Sequence, residues 1–343
     1  MSVFLPPTAW RYCVNLTPVK IQPYGGKNSQ RMIMIGTQVI KCGVLRTAVR
    51  QSLRMSMTAN YATAPGSSEF GTLNVSVPKP FVYHVQLNRP KSLNAVDRQM
   101  WMEIKHCFNE LGENPDCRVV LLSGAGRYFN AGIDVSLLMS FGQKLAEYED
   151  VAQKCKVLKK EIGICQESLS AIELCPKPVI AAVHGACIGA GMGMITAADI
   201  RYCTKDAWFQ VKEVLMGLTA DIGTLQRMPK IMGSGSLARE LVYTGRKFDA
   251  TEALHNGLVS KVYDDGESLL AGSISLAEEI SAKSPVAVQG SKLNLNYSRD
   301  HTVQEGLDHV LMYNQVMLQS EDLANSVMAQ VSKSGEAPVF SKL

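Results

Sequence analysis

Residues 184–194 read HGACIGAGMGM, four glycines in eleven residues with no acidic or basic side chain beyond one histidine. The stretch follows a short apolar run entered through two prolines, PKPVIAAVHG at 176–185, and leads into GMGMITAAD, a run of small apolar residues at helical spacing. A strand, a glycine turn and a helix in that order strongly limit the fold. The glycines let the backbone approach a neighbour or a ligand, and the first turn of a helix carries N–H groups with no partner inside the helix. The positive end of the helix dipole adds to the attraction for a ligand oxygen.

The same logic recurs along the chain. FVYHVQL at 81–87 alternates and is rich in β-branched and aromatic residues, so it reads as a strand at the start of the folded body, followed by a turn at 88–95. DRQMWMEIKHCFNELGEN at 97–114 has helical spacing, and RVVLLSGAG at 118–126 is a buried strand running into a glycine turn. FNAGIDVSLLM at 129–139 leads from a turn into a helix, and helix continues to about residue 174. DIRYC at 199–203 and AWFQV at 207–211 are further strands, and from about residue 232 the pattern is helical. Residues 301–331 read as one long amphipathic helix, equally suited to a neighbouring subunit or to the chain's own core. Repeated strand–turn–helix units imply an α/β fold with mostly parallel strands and chemistry at the turns.

Charge is distributed unevenly. Residues 1–68 hold eight Lys or Arg and no Asp or Glu, whereas the remainder carries 27 basic against 31 acidic residues beneath a net charge of +4. A basic, acid-free amino terminus reads as a mitochondrial import segment, with 62–68 (ATAPGSS) as a linker. The final Ser341-Lys342-Leu343 is a peroxisomal address. The expected location is therefore the mitochondrial matrix and the peroxisome. The acidic body argues against nucleic-acid binding. MIMIGTQVI at 32–40 is about half the ~20 residues needed to span a bilayer. Nine cysteines without a CxxC pair and six histidines without an HExxH-type grouping lead to the expectation of no metal.

Two turns are candidates for chemistry, AGID at 131–134 and GAG at 189–191. If they converge, the N–H groups of Ile133 and Ala190 can hold one carbonyl oxygen as it gains charge, forming an oxyanion hole. Tight helix–strand packing would also explain the glycines. A dinucleotide loop fits poorly because Met194 breaks GxGxxG, and no GK[ST] follows for a phosphate loop. Downstream, FQVKEVLMGLTADIG at 209–223 sets Glu213 and Asp221 in an otherwise apolar segment. Burial there would raise both carboxyl pKa values and suit them to taking and returning protons.

With these residues in view, the chain resembles the enoyl-CoA hydratase/isomerase (crotonase) family over about 75–335, and within it the dienoyl-CoA isomerase branch. The strings that carry the resemblance include HVQLNRP, SGAGRYFNAGID, CPKPVIAAVHGACIGAG, DIRYC, FQVKEV, ADIGTLQRMPK, SPVAVQ and YSRDH. It implies a spiral of ββα repeats at 69–265, a C-terminal helical oligomerisation region at 266–340, and trimers paired into a homohexamer. It also implies an acyl-CoA thioester substrate with no separate cofactor. Ala131, Gly132, Ile133, Asp134, Val135 and Ala190 would line the CoA site, and Ile133 and Ala190 would supply the oxyanion donors. Glu213 matches the family's catalytic glutamate. Asp221 matches an aspartate of the dienoyl isomerases where hydratases usually carry glycine. Gly193 departs from both, since hydratases carry glutamate there and dienoyl isomerases aspartate. The implied reaction converts a 3,5-dienoyl-CoA to the 2,4-isomer. A Δ3,Δ2-enoyl-CoA isomerase and a non-catalytic acyl-CoA-binding member are the alternatives.

Overall fold

The computed structural model describes residues 70–332 and 337–343. The basic targeting segment expected at 1–68 lies outside the described residues.

Among the described residues nine strands form two sheets. β1 (Leu73–Lys79) and β2 (Val82–Leu87) are antiparallel, and β2 then pairs in parallel with β3 (Val119–Gly124). Between them α1 (Arg98–Glu113) is capped by Asp97, whose side chain accepts from the Met100 N–H. It buries Met100, Trp101, Ile104, Cys107, Phe108 and Leu111, an i, i+3, i+4, i+7 stripe. α2 (Val135–Ala146) and α3 (Val151–Leu174) follow, the first capped by Asp134 and the second by Asp150. β4 (Val179–Val183) adds to β3 in parallel.

The glycine-rich stretch then divides in two: β5 (Ala186–Ile188) leaves the large sheet, and α4 (Ala190–Ala197) is buried on every side. β6 (Ile200–Thr204) returns beside β4, whereas β7 (Trp208–Gln210) pairs with β5 in the small sheet. A short 3-10 helix, Glu213–Met216, leads to α5 (Thr224–Ile231) and α6 (Gly235–Thr244). β8 (Phe248–Asp249) closes the small sheet, α7 (Ala250–His255) follows, and β9 (Lys261–Tyr263) completes the large one. Four helices end the body: α8 (Gly266–Ser281), α9 (Pro285–Ser298), α10 (Val303–Met317) and α11 (Glu321–Ser332).

The large sheet runs β1-β2-β3-β4-β6-β9 and is parallel from β2 onward. Strands buried on both faces read as continuous apolar runs, which is why β3 and β4 stand out in the sequence. One face packs on α8 through Val82, Val119, Leu121, Ile180, Leu269 and Ala277. The other joins the main core with Trp101, Leu169 and Met192. None of the described helices is long and apolar enough to cross a membrane.

The expected α/β fold with mostly parallel strands holds, with differences in detail. The body begins a strand earlier, because LNVSVPK pairs with β2 even though Pro78 and Lys79 break its apolar pattern. The region after 232 is not wholly helical, since β8 and β9 are strands of two and three residues, too short to set a period. The single helix expected at 301–331 is two helices. Gln319 and Ser320 close a tight turn onto Val316 and Met317, and this turn brings the buried Asp322 to its anchors, the Ser284 hydroxyl at 2.5 Å and the Ser341 N–H at 2.8 Å. Leu311, Met312, Val316, Leu323 and Met328 remain exposed, and an open, mainly apolar groove of about 810 Å³ lies among α9, α10 and α11.

The last three residues lie against the body. Lys342 pairs with Asp116 at 2.6 Å, the Arg118 guanidinium donates to the Ser341 carbonyl at 3.4 Å, and the buried ammonium of Lys177 donates to a Leu343 oxygen.

Candidate active site

The two glycine turns meet. Asn130 and Cys187 form a β-bridge, with the Asn130 N–H donating to the Ala186 carbonyl at 3.1 Å and the Ile188 N–H to the Asn130 carbonyl at 3.0 Å. The fully buried Asn130 side chain fixes the first turn: its Oδ1 accepts from the Gly132 N–H at 2.8 Å, and its amide donates to the Asn94 carbonyl at 2.5 Å. A Cβ on Gly189 would come within 3.9 Å of the Gly132 Cα.

Gly189 has φ 50° and ψ −106°, a combination closed to other residues, and this kink delivers the chain into α4. Ala190 is the first residue of that helix, so its N–H has no intrahelical acceptor. Ile133 lies at the first bend; the bridge beside it uses the Val96 and Asp134 N–H groups and leaves its own unused. Neither N–H donates to any acceptor among the described residues. The two candidate donors thus flank the contact between the turns.

The side chain of Asp134 has structural tasks. It caps α2 through Ser136, from which it accepts at 3.0 Å (N–H) and 2.7 Å (hydroxyl), and pairs with Arg89 at 3.0 Å. The Ser136 hydrogen bonds, with Arg89 behind them, hold its carboxyl below the ordinary range. Its N–H is likewise taken, donating to the Val96 carbonyl at 3.0 Å. Val135, by contrast, is 63% exposed beside the turn, and Ala131 is partly exposed.

Glu213 opens the 3-10 helix and reaches back to the second turn: a Cβ on Gly189 would stand 3.4 Å from its Oε1. Its Oε2 is buried without a hydrogen-bond partner. Burial, and after it the negative charge of Asp221, pushes the Glu213 carboxyl up. Asp221 is also pushed up, by partial desolvation.

The expectation that both acids are sequestered holds only for Glu213. Asp221 is exposed in the single chain, as are its apolar neighbours Val214 (43%), Leu215 (58%), Met216 (44%) and Leu218 (46%). Val214 and Leu215 lie beside Gly245, where an added Cβ would stand 3.1 and 2.8 Å from their side chains, and Leu218 stays at the surface of the described residues. Gly193 lies inside α4, where an added Cβ would meet Leu169 Cδ1 at 2.5 Å and Ile222 Cδ1 at 3.4 Å. Leu169 and Ile222 therefore fill the space into which a side chain at 193 would grow. Cys187 is fully buried and its thiol is pushed well up, so it is no nucleophile. Among the described residues no group of three or more His, Cys, Asp or Glu gathers at metal-binding distance.

A sequence profile of the enoyl-CoA hydratase/isomerase family matches residues 79–335. The chain belongs to this family. The human protein named Delta(3,5)-Delta(2,4)-dienoyl-CoA isomerase, mitochondrial, is 50% identical over 283 residues, covering 82% of this chain and 85% of its own. The Arabidopsis thaliana protein named Delta(3,5)-Delta(2,4)-dienoyl-CoA isomerase, peroxisomal, is 45% identical over 262 residues, covering 76% and 93%. A crystal structure of enoyl-CoA hydratase from Bacillus anthracis superposes with a TM-score of 0.71 at 26% identity, over 79% of this chain and 100% of that one. This enoyl-CoA hydratase/isomerase family member thus shares the crotonase fold of its relatives.

Reasoning from sequence missed Asn130, which locks the first turn. An amide immediately before Ala-Gly was the one local hint, and its partner Asn94 is 36 residues away. It also missed the side chains beneath Asp221, which lie in a polar hollow of about 340 Å³ lined in part by Gln166, Glu173 and Arg227.

Proposed function

We propose that this chain isomerises 3,5-dienoyl-CoA to 2,4-dienoyl-CoA in the breakdown of unsaturated acyl chains. The observation that carries the reading is the contact between Glu213 and the Gly189 kink, because it sets a carboxyl beside the candidate oxyanion donors. A thioester oxygen held by the Ile133 and Ala190 N–H groups would bring C2 next to Glu213. Ionised Glu213 takes a proton from C2, and the C–H electron pair enters a dienolate delocalised over the oxygen and the conjugated chain. Donors aimed at that oxygen contribute most as its charge develops. Asp221, in its protonated form, delivers a proton to C6. Double bonds then stand at C2 and C4, and proton exchange with solvent resets the two acids. Both steps are carboxylate chemistry, so the reaction as drawn needs no separate cofactor or metal. The two roles can be exchanged without altering the balance.

Gly193 disfavours hydration, which in the family uses a second carboxylate at that position. Relatives named mitochondrial and peroxisomal support the mitochondrial matrix and the peroxisome as locations. The exposed apolar residues of α10, α11 and 214–218 support a homo-oligomer, in the family's form of paired trimers.

Incubation with 3,5-octadienoyl-CoA tests the reading: the ultraviolet absorbance of a 2,4-diene conjugated to the thioester should appear. Asp221→Asn should lower that turnover ~10²–10⁴-fold while acyl-CoA binding persists. Unchanged turnover would remove Asp221 from the mechanism. The exposure of Asp221 favours one second reading, Δ3,Δ2-enoyl-CoA isomerisation, in which Glu213 alone moves a proton from C2 to C4. Assaying both thioesters separates the two, and binding without C2 exchange in deuterated water would point to a non-catalytic member.

A further inference from the structure

Asp221 is exposed, and no other described residue forms a hydrogen bond to its carboxylate, yet the backbone that carries it is held from behind. The Gln166 side chain donates to the Asp221 carbonyl at 2.6 Å. One residue on, Arg227 Nη1 donates to the Ile222 carbonyl at 3.5 Å. The remaining donors of Arg227 reach α3, with Nε and Nη2 on Glu173 Oε2 at 3.0 and 2.8 Å and Nη2 on the Ser170 hydroxyl at 3.3 Å. Arg299, at the end of α9, pairs with the other Glu173 oxygen at 2.6 Å. Gln166, Ser170 and Glu173 are spaced four and three apart, so they occupy one face of α3.

Gly223 makes this arrangement possible. Its φ is +110°, and a Cβ there would lie 1.9 Å from Arg227 Nη1. The guanidinium passes under the loop through the space that any side chain at 223 would fill. Arg227 is 8% exposed, and Glu173 is similarly enclosed. Burying two charges beneath a surface loop has a desolvation cost, which good geometry and further hydrogen bonds offset. The feature fixed by this network is the pair of consecutive peptide units that follow the acid, those carrying the Asp221 and Ile222 carbonyls.

We propose that Gln166 and Arg227 are positioning residues for Asp221, clamping the Asp221 and Ile222 carbonyls so that the carboxyl meets the distal end of the conjugated chain. The proposal rests on the reading of Asp221 as the distal acid. Proton transfer needs heavy atoms at about 2.6–3.2 Å, so a loop free to drift by an ångström loses the step without losing substrate binding.

The test uses the full chain and octadienoyl-CoA, with Gln166→Ala and Arg227→Lys assayed beside Asp221→Asn. Gln166 is exposed, and its truncation removes one hydrogen bond without opening the core. The expected result for Gln166→Ala is an unchanged melting temperature and KM, a kcat reduced ~5–10-fold, and C2–H exchange in deuterated water at the wild-type rate. Arg227→Lys keeps the charge but loses the fork and should lower kcat further, again with C2 exchange preserved. A merely structural role would lower both proton transfers together, or the melting temperature with them. Full kcat in Gln166→Ala alongside an inactive Asp221→Asn overturns the clamp. Full kcat in Asp221→Asn itself instead overturns the reading of the acid on which the clamp depends.

Discussion

The two halves of the candidate site are built in opposite ways. The turns at Asn130–Gly132 and Ile188–Ala190 are enclosed, cross-bonded and completed within one chain by backbone and one buried amide. The segment from Glu213 to Asp221 is anchored at its two ends, at the Gly189 kink and by the α3 clamp, and is open in front, with apolar side chains exposed between. The contrast follows the chemistry. An oxyanion hole must be rigid before the charge develops, because reorganisation during the reaction forfeits most of its benefit. A surface that receives an acyl chain can be finished by the ligand or by a neighbouring copy, which then supplies the desolvation that a single chain lacks.

The sharpest way to break that contrast is to remove the acid that joins the halves. Glu213→Gln should lower kcat ~10²–10⁴-fold while the fold becomes slightly more stable near neutral pH. The sign follows from the raised pKa. A carboxyl whose folded pKa lies above its unfolded value opposes folding once it is ionised, and that penalty disappears as the pH falls through the folded pKa toward the ordinary carboxylate value of about 4. The variant's advantage in melting temperature at pH 7 should therefore vanish in acid. An advantage that grew in acid would mean that Glu213 is stabilised as a carboxylate instead.

A second break starts from the enclosed half. Gly189→Val forces a side chain into a backbone region closed to valine and against Glu213, and it should cost ~10²–10³ in kcat through misdirection of the Ala190 N–H. Circular dichroism will show whether the fold survives. A folded variant with wild-type kcat would remove the second turn from catalysis.

The smallest effect belongs to the open half. Leu218→Ser should leave the melting temperature within about 2 °C, since the side chain it replaces is 46% exposed, and should raise KM for octadienoyl-CoA ~2–5-fold. A large loss of stability would show that this segment belongs to the folded core.

The parallel sheet was legible in the chain because β3 and β4 are buried on both faces and so have continuous apolar sequences. The glycine turns were legible because backbone strain and close approach restrict residue choice locally. Short strands such as β8 left no periodic trace, and the turn at 318–320 was hidden by apolar spacing that runs through both α10 and α11.

By itself, the sequence determined the α/β architecture and the two bends, and it singled out Glu213 and Asp221 as candidate acids. These follow from local rules, namely which residues tolerate a kink, which can be buried and which can carry a proton. Only the tertiary structure decided that Glu213 meets Gly189, that Leu169 and Ile222 occupy the space beside Gly193, that Asp221 is exposed, and that Gln166 and Arg227 hold its backbone from behind. Those relations join residues up to 55 positions apart, and a side chain's direction depends on packing that no local pattern encodes.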